Sequence, residues 1–244
     1  MSQIISAHQP AYLPWLGYFH KVFLSDIFVF YDHVQYSNKD YTTRNYIKSS
    51  HGKNLLTVPV KKSKNIIIND LIIFNKISWK RNHLKSIYFN YKKSKYFTDY
   101  YHYFEDFYEK DYEKLSDMNL SMLNMLLKIM NVKVIIKRSS EMDIVNTSSS
   151  GIIQMMKILQ SNKIIFGERG VDYVDQVKFK DNNINCYFQK YNHPTYTQLF
   201  GKFIPYLSVV DLIFNCGPAT KSIIMSNNCE KSDLERYFSN NTIC

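Results

Sequence analysis

Along most of this chain, short apolar runs cut off by Gly, Pro or His alternate with segments of helical periodicity. That alternation constrains the fold most. Strands buried on both faces read as continuous apolar runs, and their parallel pairing needs helical crossovers. Ile4-Ile5-Ser6-Ala7 is the first run, and Pro10 in His8-Gln9-Pro10 forbids its continuation as a ladder. Past Pro14, Leu16, Phe19, Val22 and Phe23 recur at helical spacing up to Ser25-Asp26, and Ile27-Phe28-Val29-Phe30-Tyr31 reads as a second buried strand. Leu55 to Val60 and Ile66 to Phe74 read as further strands, joined by a lysine-rich turn, Lys61-Lys62-Ser63-Lys64. The middle is helical. Leu84, Ile87, Tyr88 and Tyr91 mark one helix and Phe97 to Tyr112 a second; a third carries Leu115, Met118, Met122, Met125, Leu126 and Ile129 on a face suited to core packing. Val132 to Ile136, Lys163 to Phe166 and Cys186 to Gln189 then read as strands. Ile152 to Leu159 reads as a helix capped by Ser148-Ser149-Ser150-Gly151, and Leu207 to Phe214 as a helical or buried segment. The expected fold is α/β: a largely parallel, Rossmann-like sheet with a helical insertion or subdomain at about 79–131. The expected organisation is one domain over 1–226, followed by a tail over 227–244 that frays.

No apolar run approaches the ~18 residues of a membrane helix, and Met1-Ser2-Gln3-Ile4 has no secretory pattern. Cys186, Cys216, Cys229 and Cys244 form no CxxC pair, so reduced thiols are expected rather than a disulfide frame or a metal site. Together these point to a cytoplasmic protein. The net charge of +10 is spread mainly over lysines, and dense spots such as Lys92-Lys93-Ser94-Lys95 read as solvated helix ends. Codon bias and solubility account for such a balance, and so does attraction to an anionic small molecule or an acidic protein. Nucleic acid is the weakest reading, since no binding motif is present.

The chain has only 6 prolines, 7 glycines and 2 tryptophans, and "SAHQPAYLPWLGYF" (6–19) holds members of all three sets. Residues that a composition avoids are expected where geometry demands them. In open α/β sheets ligands bind beyond the carboxyl ends of the strands. His8 and Gln9 follow the first strand, Asp32, His33 and Gln35 the second, and Ser139 to Glu141 that at 132–136. Gly167-Glu168-Arg169-Gly170 and Tyr191-Asn192-His193 follow the last two. His8 and His193 are the candidate acid/base groups, because imidazole titrates near neutrality; each could equally hydrogen-bond a loop. Asp32 could orient a histidine, bind a sugar hydroxyl or cap a turn. Arg44 could fork onto a phosphate or make a surface ion pair. Gly167 to Gly170 could turn backbone amides to an anion or form an ordinary turn. Cys216 reads as a buried, inert thiol more readily than as a nucleophile. The chain has no GxGxxG, GxxxxGK[ST], GxSxG or HExxH, which disfavours dinucleotide enzymes, P-loop NTPases, elbow-type esterases and zincins.

"HQPAYLPWLGYFHK", "SDIFVFYDHVQYS", "TTRNYIK", "LLTVPV", "WKRNHLKSIYFNYKKSKYF", "RSSE" and "FQKYNHPTYTQLFGKFIPYLSVVDLIFNCGP" occur in the order seen in the WbqC-like family of bacterial proteins, which this chain closely resembles from residue 3 to about 218. The resemblance implies a role in O-antigen, capsule or other surface-polysaccharide biosynthesis, with acyl or aminoacyl decoration of amino sugars. Carried over by motif, the family positions are His8, Gln9, Tyr12, Trp15, Asp32, Gln35, Arg44, Asn45, Trp79, His83, His193, Tyr196, Gln198, Ser208, Asp211 and Asn215. The chain departs from the family's Ser-Gly-x-Gly-like segment at Phe166-Gly167-Glu168-Arg169-Gly170, where a charged pair implies an altered substrate group.

The leading expectation is a transferase attaching an acyl or aminoacyl group to the amino group of a nucleotide-linked amino sugar. His8 or His193 would take the proton, Asp32 would hold that imidazole, and Arg44 would bind the diphosphate. Gln35 or Asn45 would steady the oxyanion. Gln9, Tyr12, Trp15, Tyr196, Gln198, Asp211 and Asn215 would complete the substrate site. No tightly bound cofactor or metal is expected. The donor would be a thioester on coenzyme A or on an acidic acyl-carrier protein. A glycosyltransferase, or a non-catalytic binding subunit of the polysaccharide pathway, are the competing readings.

Overall fold

The computed structural model describes residues 2–38, 40–61 and 64–240; Lys62 and Ser63 of the lysine-rich turn, Cys244 and the last residues of the expected tail lie outside them. Five strands, β1 (Ile4–His8), β2 (Ile27–Phe30), β7 (Ile135–Arg138), β8 (Lys163–Phe166) and β9 (Asn185–Phe188), form one sheet in the order β7-β2-β1-β8-β9. Every pairing in it is parallel. Two small antiparallel pairs complete the strands: β3 (Arg44–Ser49) with β4 (Gly52–Thr57), and β5 (Val60–Lys61) with β6 (Ile72–Ile73). The helices are α1 (Leu16–Leu24), α2 (Trp79–Tyr91), α3 (Phe97–Glu109), α4 (Leu115–Ile129), α5 (Ser149–Ile158), α6 (Gly170–Tyr173), α7 (Gln176–Asp181), α8 (Val209–Cys216), α9 (Thr220–Met225) and α10 (Lys231–Asn240). The fold is thus mixed α/β around a wholly parallel central sheet.

Side-chain alternation along the strands assigns their two faces. Phe28 and Phe30 of β2 pack into a core built with α1, α4 and α8, whereas Ile27 and Val29 pack beneath α5 and α7. Ile164 and Phe166 of β8 share that second core. Ile165 turns the other way to meet Ile4, Leu24 and the buried Leu234 and Phe238 of α10. The tail beyond Asn227, read from sequence as fraying, therefore carries a docked helix over Lys231–Asn240, held by two apolar side chains four residues apart on one face and by the Lys231–Asp26 ion pair at 2.5 Å.

Several elements differ from the sequence reading for definable reasons. The strand expected at 132–136 begins three residues later. Val132 N–H still bonds Leu127 C=O behind Asn131, which has the left-handed φ of 50° common at helix ends. Residues 44–49 form an unforeseen strand because "RNYIKS" is polar, yet Asn45, Ile47 and Lys48 are buried. Its hairpin turns through Ser50-His51 into Gly52, whose φ of +107° a larger residue resists. The stretch 66–74 is mostly a short 3-10 turn at Ile68–Asp70 and the two-residue β6 rather than one long strand. Ser148 does precede α5 as its cap residue, though its hydroxyl makes no cap bond. Gly151 is needed there because Asn146 C=O lies 2.0 Å from where a Cβ would sit.

Asp32, just past β2, ties that strand to β7 and α4. Its fully buried carboxylate accepts from Arg138 Nη2 (2.8 Å) and Nε (3.0 Å), Ser116 Oγ (2.8 Å), Ser139 Oγ (3.3 Å) and the Ser140 N–H (3.0 Å). Burial pushes its pKa up, but the bonds from Ser116 and Arg138 outweigh that and hold it below the ordinary 3.8. Such a group stabilises the fold fully above its unfolded value, and the contribution is lost as pH falls through the lower folded value. Asp32→Ala, which strands Arg138 without its buried partner, is expected to cost about 3–5 kcal/mol in urea melts at neutral pH. Asp32→Asn should remove the part of the acid-induced loss that begins below about pH 4.

Candidate active site at the strand-order reversal

In chain order the central strands run third, second, first, fourth, fifth, so the winding reverses between β1 and β8. At the carboxyl end of a reversal the two crossovers diverge to opposite faces and leave a crevice. A cavity of about 660 Å³ opens there, lined by Ala7, His8 and Gln9 at the end of β1 and by Phe166 to Gly170 at the end of β8 and the turn after it. Its walls add Trp15, Gly17, Tyr18 and Lys21 from the start of α1, Tyr31 and Tyr41 from behind β2, and Gln189, Tyr191 and Tyr206 from the chain after β9.

His8 sits in the wall with its ring 4.9 Å from that of Tyr18 and 5.3 Å from that of Trp15, both edge-on. Its Nδ1 lies 2.8 Å from the Gln9 carbonyl, which can only accept, so Nδ1 carries the hydrogen and Nε2 presents a bare lone pair. Burial, then the neighbouring Lys21 charge, lowers the imidazole pKa to about 3. His8 is thus a neutral hydrogen-bond acceptor throughout the physiological range. Lys21 is nearly fully buried, and its Nζ donates to Ala7 C=O at 2.9 Å. Removal from water lowers its pKa to about 7. The group in this cavity that gains and loses a proton near neutrality is therefore the lysine. The sequence reading passed over it, although a signal existed: "LGYFHKVFL" is apolar nearly all round and has no acidic residue, and a helix of that kind is buried together with any lysine in it.

The structure divides the sequence-selected residues into two groups. His8, Gln9 and Trp15 line the cavity, as do Glu168 and Arg169 of the segment that departs from the family pattern. His193 stands one layer behind. Its Nδ1 donates to Pro194 C=O (2.9 Å) and its Nε2 accepts the Tyr206 N–H (3.1 Å), so it orients the strap that carries Tyr206 to the cavity rim. Tyr206 has the left-handed φ of 59°, which that bond helps to hold.

The other candidates are absent from the lining. Asp32 is bonded to Arg138 and its serines and meets no imidazole. Arg44 opens β3 opposite Thr57. Asn45 Nδ2 donates to Leu13 C=O at 2.6 Å, and Gln35 lies exposed with its Nε2 3.3 Å from Asn65 Oδ1. The Tyr12 hydroxyl meets the Tyr108 hydroxyl and His83 Nδ1 (2.8 Å) inside the helical layer, where Trp79 Nε1 donates to Asn75. Asn215 Nδ2 donates back to Asp211 C=O one turn earlier.

Asp211, Tyr196 and Gln198 belong to a second buried polar cluster. Lys48 Nζ donates to Gln198 Oε1 (3.0 Å), and the Tyr91 hydroxyl donates to Asp211 Oδ1 (3.0 Å). Burial raises Asp211 to about 6. Burial also raises the Cys216 thiol, which leaves it a poor nucleophile.

The sequence profile of the WbqC-like protein family matches residues 9–223. The chain belongs to the WbqC-like family. It is 28% identical over 213 residues to the uncharacterized protein Rv1507c of Mycobacterium tuberculosis, covering 86% of this chain and 92% of that relative. No solved structure matches it. The family span takes in the cavity lining from Gln9 through the β8 segment to the Tyr206 strap, and Ala7 and His8 stand just before it. Among the described residues no helix is long and apolar enough to cross a membrane.

A lysine neutralised by burial has a thermodynamic signature. Below about pH 7 both folded and unfolded chains carry the charge, and the fold bears the full burial cost; between there and 10.5 the unfolded chain holds the extra proton, so stability rises with pH. Lys21→Met is expected to be more stable than the parent at pH 6, with the gap narrowing as the pH climbs past about 7. Urea melts across that range, with a 15N-lysine titration whose midpoint should fall near 7, test the assignment.

Proposed function

We propose that this protein is a transferase that attaches an acyl or aminoacyl group to the amino group of a nucleotide-linked amino sugar. The observation that carries the reading is the pairing, in one cavity at the strand-order reversal, of Lys21 with a pKa of about 7 and His8 with an open Nε2. A sugar amine is protonated at neutral pH and must lose a proton before it can attack. A lysine poised near the working pH is the matched base.

In this reading the sugar ammonium gives its proton to neutral Lys21, while His8 Nε2 accepts a hydrogen bond from the substrate and fixes its orientation. The freed amine attacks the carbonyl carbon of a thioester donor, on coenzyme A or an acyl-carrier protein. The oxyanion that forms takes a hydrogen bond from the Gln9 amide, which lines the cavity and makes no other bond among the described residues. Collapse breaks the carbon–sulfur bond as the attacking nitrogen releases its second proton to solvent, and Lys21 returns the first to the departing thiolate, giving amide and thiol. Arg169 supplies a planar fork for the diphosphate, and the rings of Trp15 and Tyr41, 5.3 Å apart, form a wall against which a sugar or base ring can lie. The polysaccharide setting comes from the family and is part of this proposal.

The test is incubation of the pure protein with a panel of amino-sugar nucleotides and thioester donors, read by mass spectrometry. An acylated sugar nucleotide is the expected product, with a rate that rises through about pH 7. Lys21→Met should lower the rate by roughly 10²–10⁴-fold and abolish that limb. His8→Phe should raise KM more than it lowers kcat. Release of free nucleoside diphosphate without acylation would instead identify a glycosyltransferase and overturn the proposal, and so would full activity in Lys21→Met.

A further inference from the structure

One segment of this protein is basic with no acidic residue to offset it. Positions 76–95 hold seven basic residues and no acidic one, in a chain whose net charge is +10. Helix α2 occupies most of that segment, and its sides are sharply divided. Trp79, His83, Ile87 and Tyr91 are buried against the helical layer. Arg81, Lys85, Tyr88, Phe89 and Lys92 are exposed and, at about 100° per residue, fall within an arc of roughly 100°. Phe89 is 63% exposed and Tyr88 39%, and Ile77, just before the helix, is 53% exposed.

Lys92 Nζ lies over both rings, 5.3 Å from the Phe89 centroid and 5.5 Å from that of Tyr88, so cation and aromatics form one surface rather than separate patches. Lys80, at the edge of the face, pairs with Asp111 at 2.8 Å. Among the described residues Arg81, Lys85, Lys92 and Lys93 have no carboxylate within ion-pair distance.

We propose that this face of α2 docks the protein onto an anionic lipid bilayer. A basic helix face with interleaved aromatic and apolar side chains matches the membrane–water interface. There, rings seat at headgroup level, lysine stems run along apolar surface and ammonium groups meet lipid phosphates. A nucleic-acid surface would draw on arginine forks, and this face offers one arginine and three exposed apolar side chains. The mode is attachment in the plane of the interface, not insertion across it. It goes beyond the proposed transferase chemistry and does not depend on it.

Sedimentation of the full chain with phosphatidylcholine vesicles, with and without phosphatidylglycerol, tests the proposal. Binding is expected to the anionic vesicles and not to the neutral ones, and to weaken with added salt. Lys85→Glu with Lys92→Glu should lower the partition coefficient by a hundredfold or more, and Phe89→Ser by roughly tenfold. Lys85→Arg with Lys92→Arg should bind as the parent does, and circular dichroism should show all variants folded. Equal binding to neutral and anionic vesicles, binding untouched by the charge reversal or by Phe89→Ser, or a preference for duplex DNA over anionic vesicles at the same salt would each overturn it.

Discussion

The connection from β1 to α1 is the constraint on which the site depends. Between His8 and Leu16 the chain runs through two prolines and a left-handed Leu13 (φ 45°), with almost no internal hydrogen bonds to hold it. A buried segment of that kind must find external partners for its backbone. It does: Asn45 Nδ2 donates to Leu13 C=O, Val209 N–H to Pro14 C=O, and Tyr12 N–H to Tyr41 C=O, while Trp15 and Ser208 form an isolated bridge. The β3 hairpin and the start of α8 thus hold the first crossover away from the end of β1.

Once the crevice is open, its electrostatics follow from crowding. Lys21 and His8 flank the end of β1 in a region with little water: burial lowers the pKa of both, and the Lys21 charge lowers that of His8 further. The site therefore holds two bases, an imidazole that is neutral near pH 7 and a lysine divided there between its charged and neutral forms. One is fixed as an acceptor by the Gln9 carbonyl, and the other is poised to titrate. The more usual arrangement, a carboxylate behind the histidine, would raise the imidazole pKa; here the available aspartate, Asp32, is given over to joining β2, β7 and α4. Asp40 and Glu168 also line the cavity and offset the charges of Lys21 and Arg169, so the lining is not a simple anion trap.

How much of this was legible in the sequence depends on whether a residue acts locally or at a distance. The central strands could be read because each is a short apolar run ended by a breaker, and the rim could be read because strand ends in such sheets converge. His8, Gln9 and the Gly167 to Gly170 segment were accordingly read onto that rim, and together with Trp15 they line the cavity. Tyr12, Asn45, Gln198 and Asp211 also sit in motifs, but their bonds go to partners such as His83, Leu13, Lys48 and Tyr91, far along the chain or on another layer. Pattern alone does not separate a side chain that holds a loop from one that faces a substrate. Lys21 shows the opposite case: a residue of the commonest surface type whose meaning lies wholly in its burial.

The same contrast governs the charge of the molecule as a whole. A composition rich in lysine invites one explanation for all of them, yet the lysines differ in physical situation: besides those paired with carboxylates at the surface, three cases stand apart. Lys21 is buried, and its pKa falls to where protons move at neutral pH. Lys48 is buried too, but its Nζ is spent on Gln198 Oε1 and on Lys202 C=O at 2.8 Å, so it fastens the strap between β9 and α8 to the β3 hairpin. Lys85 and Lys92, on the outer face of α2 and at its end, stay in water on the side of the exposed Tyr88 and Phe89 rings, where a cation is available to a partner. Net charge counts these alike, whereas desolvation separates chemistry, structure and docking. An argument from charge to function in such a chain has to pass through burial first.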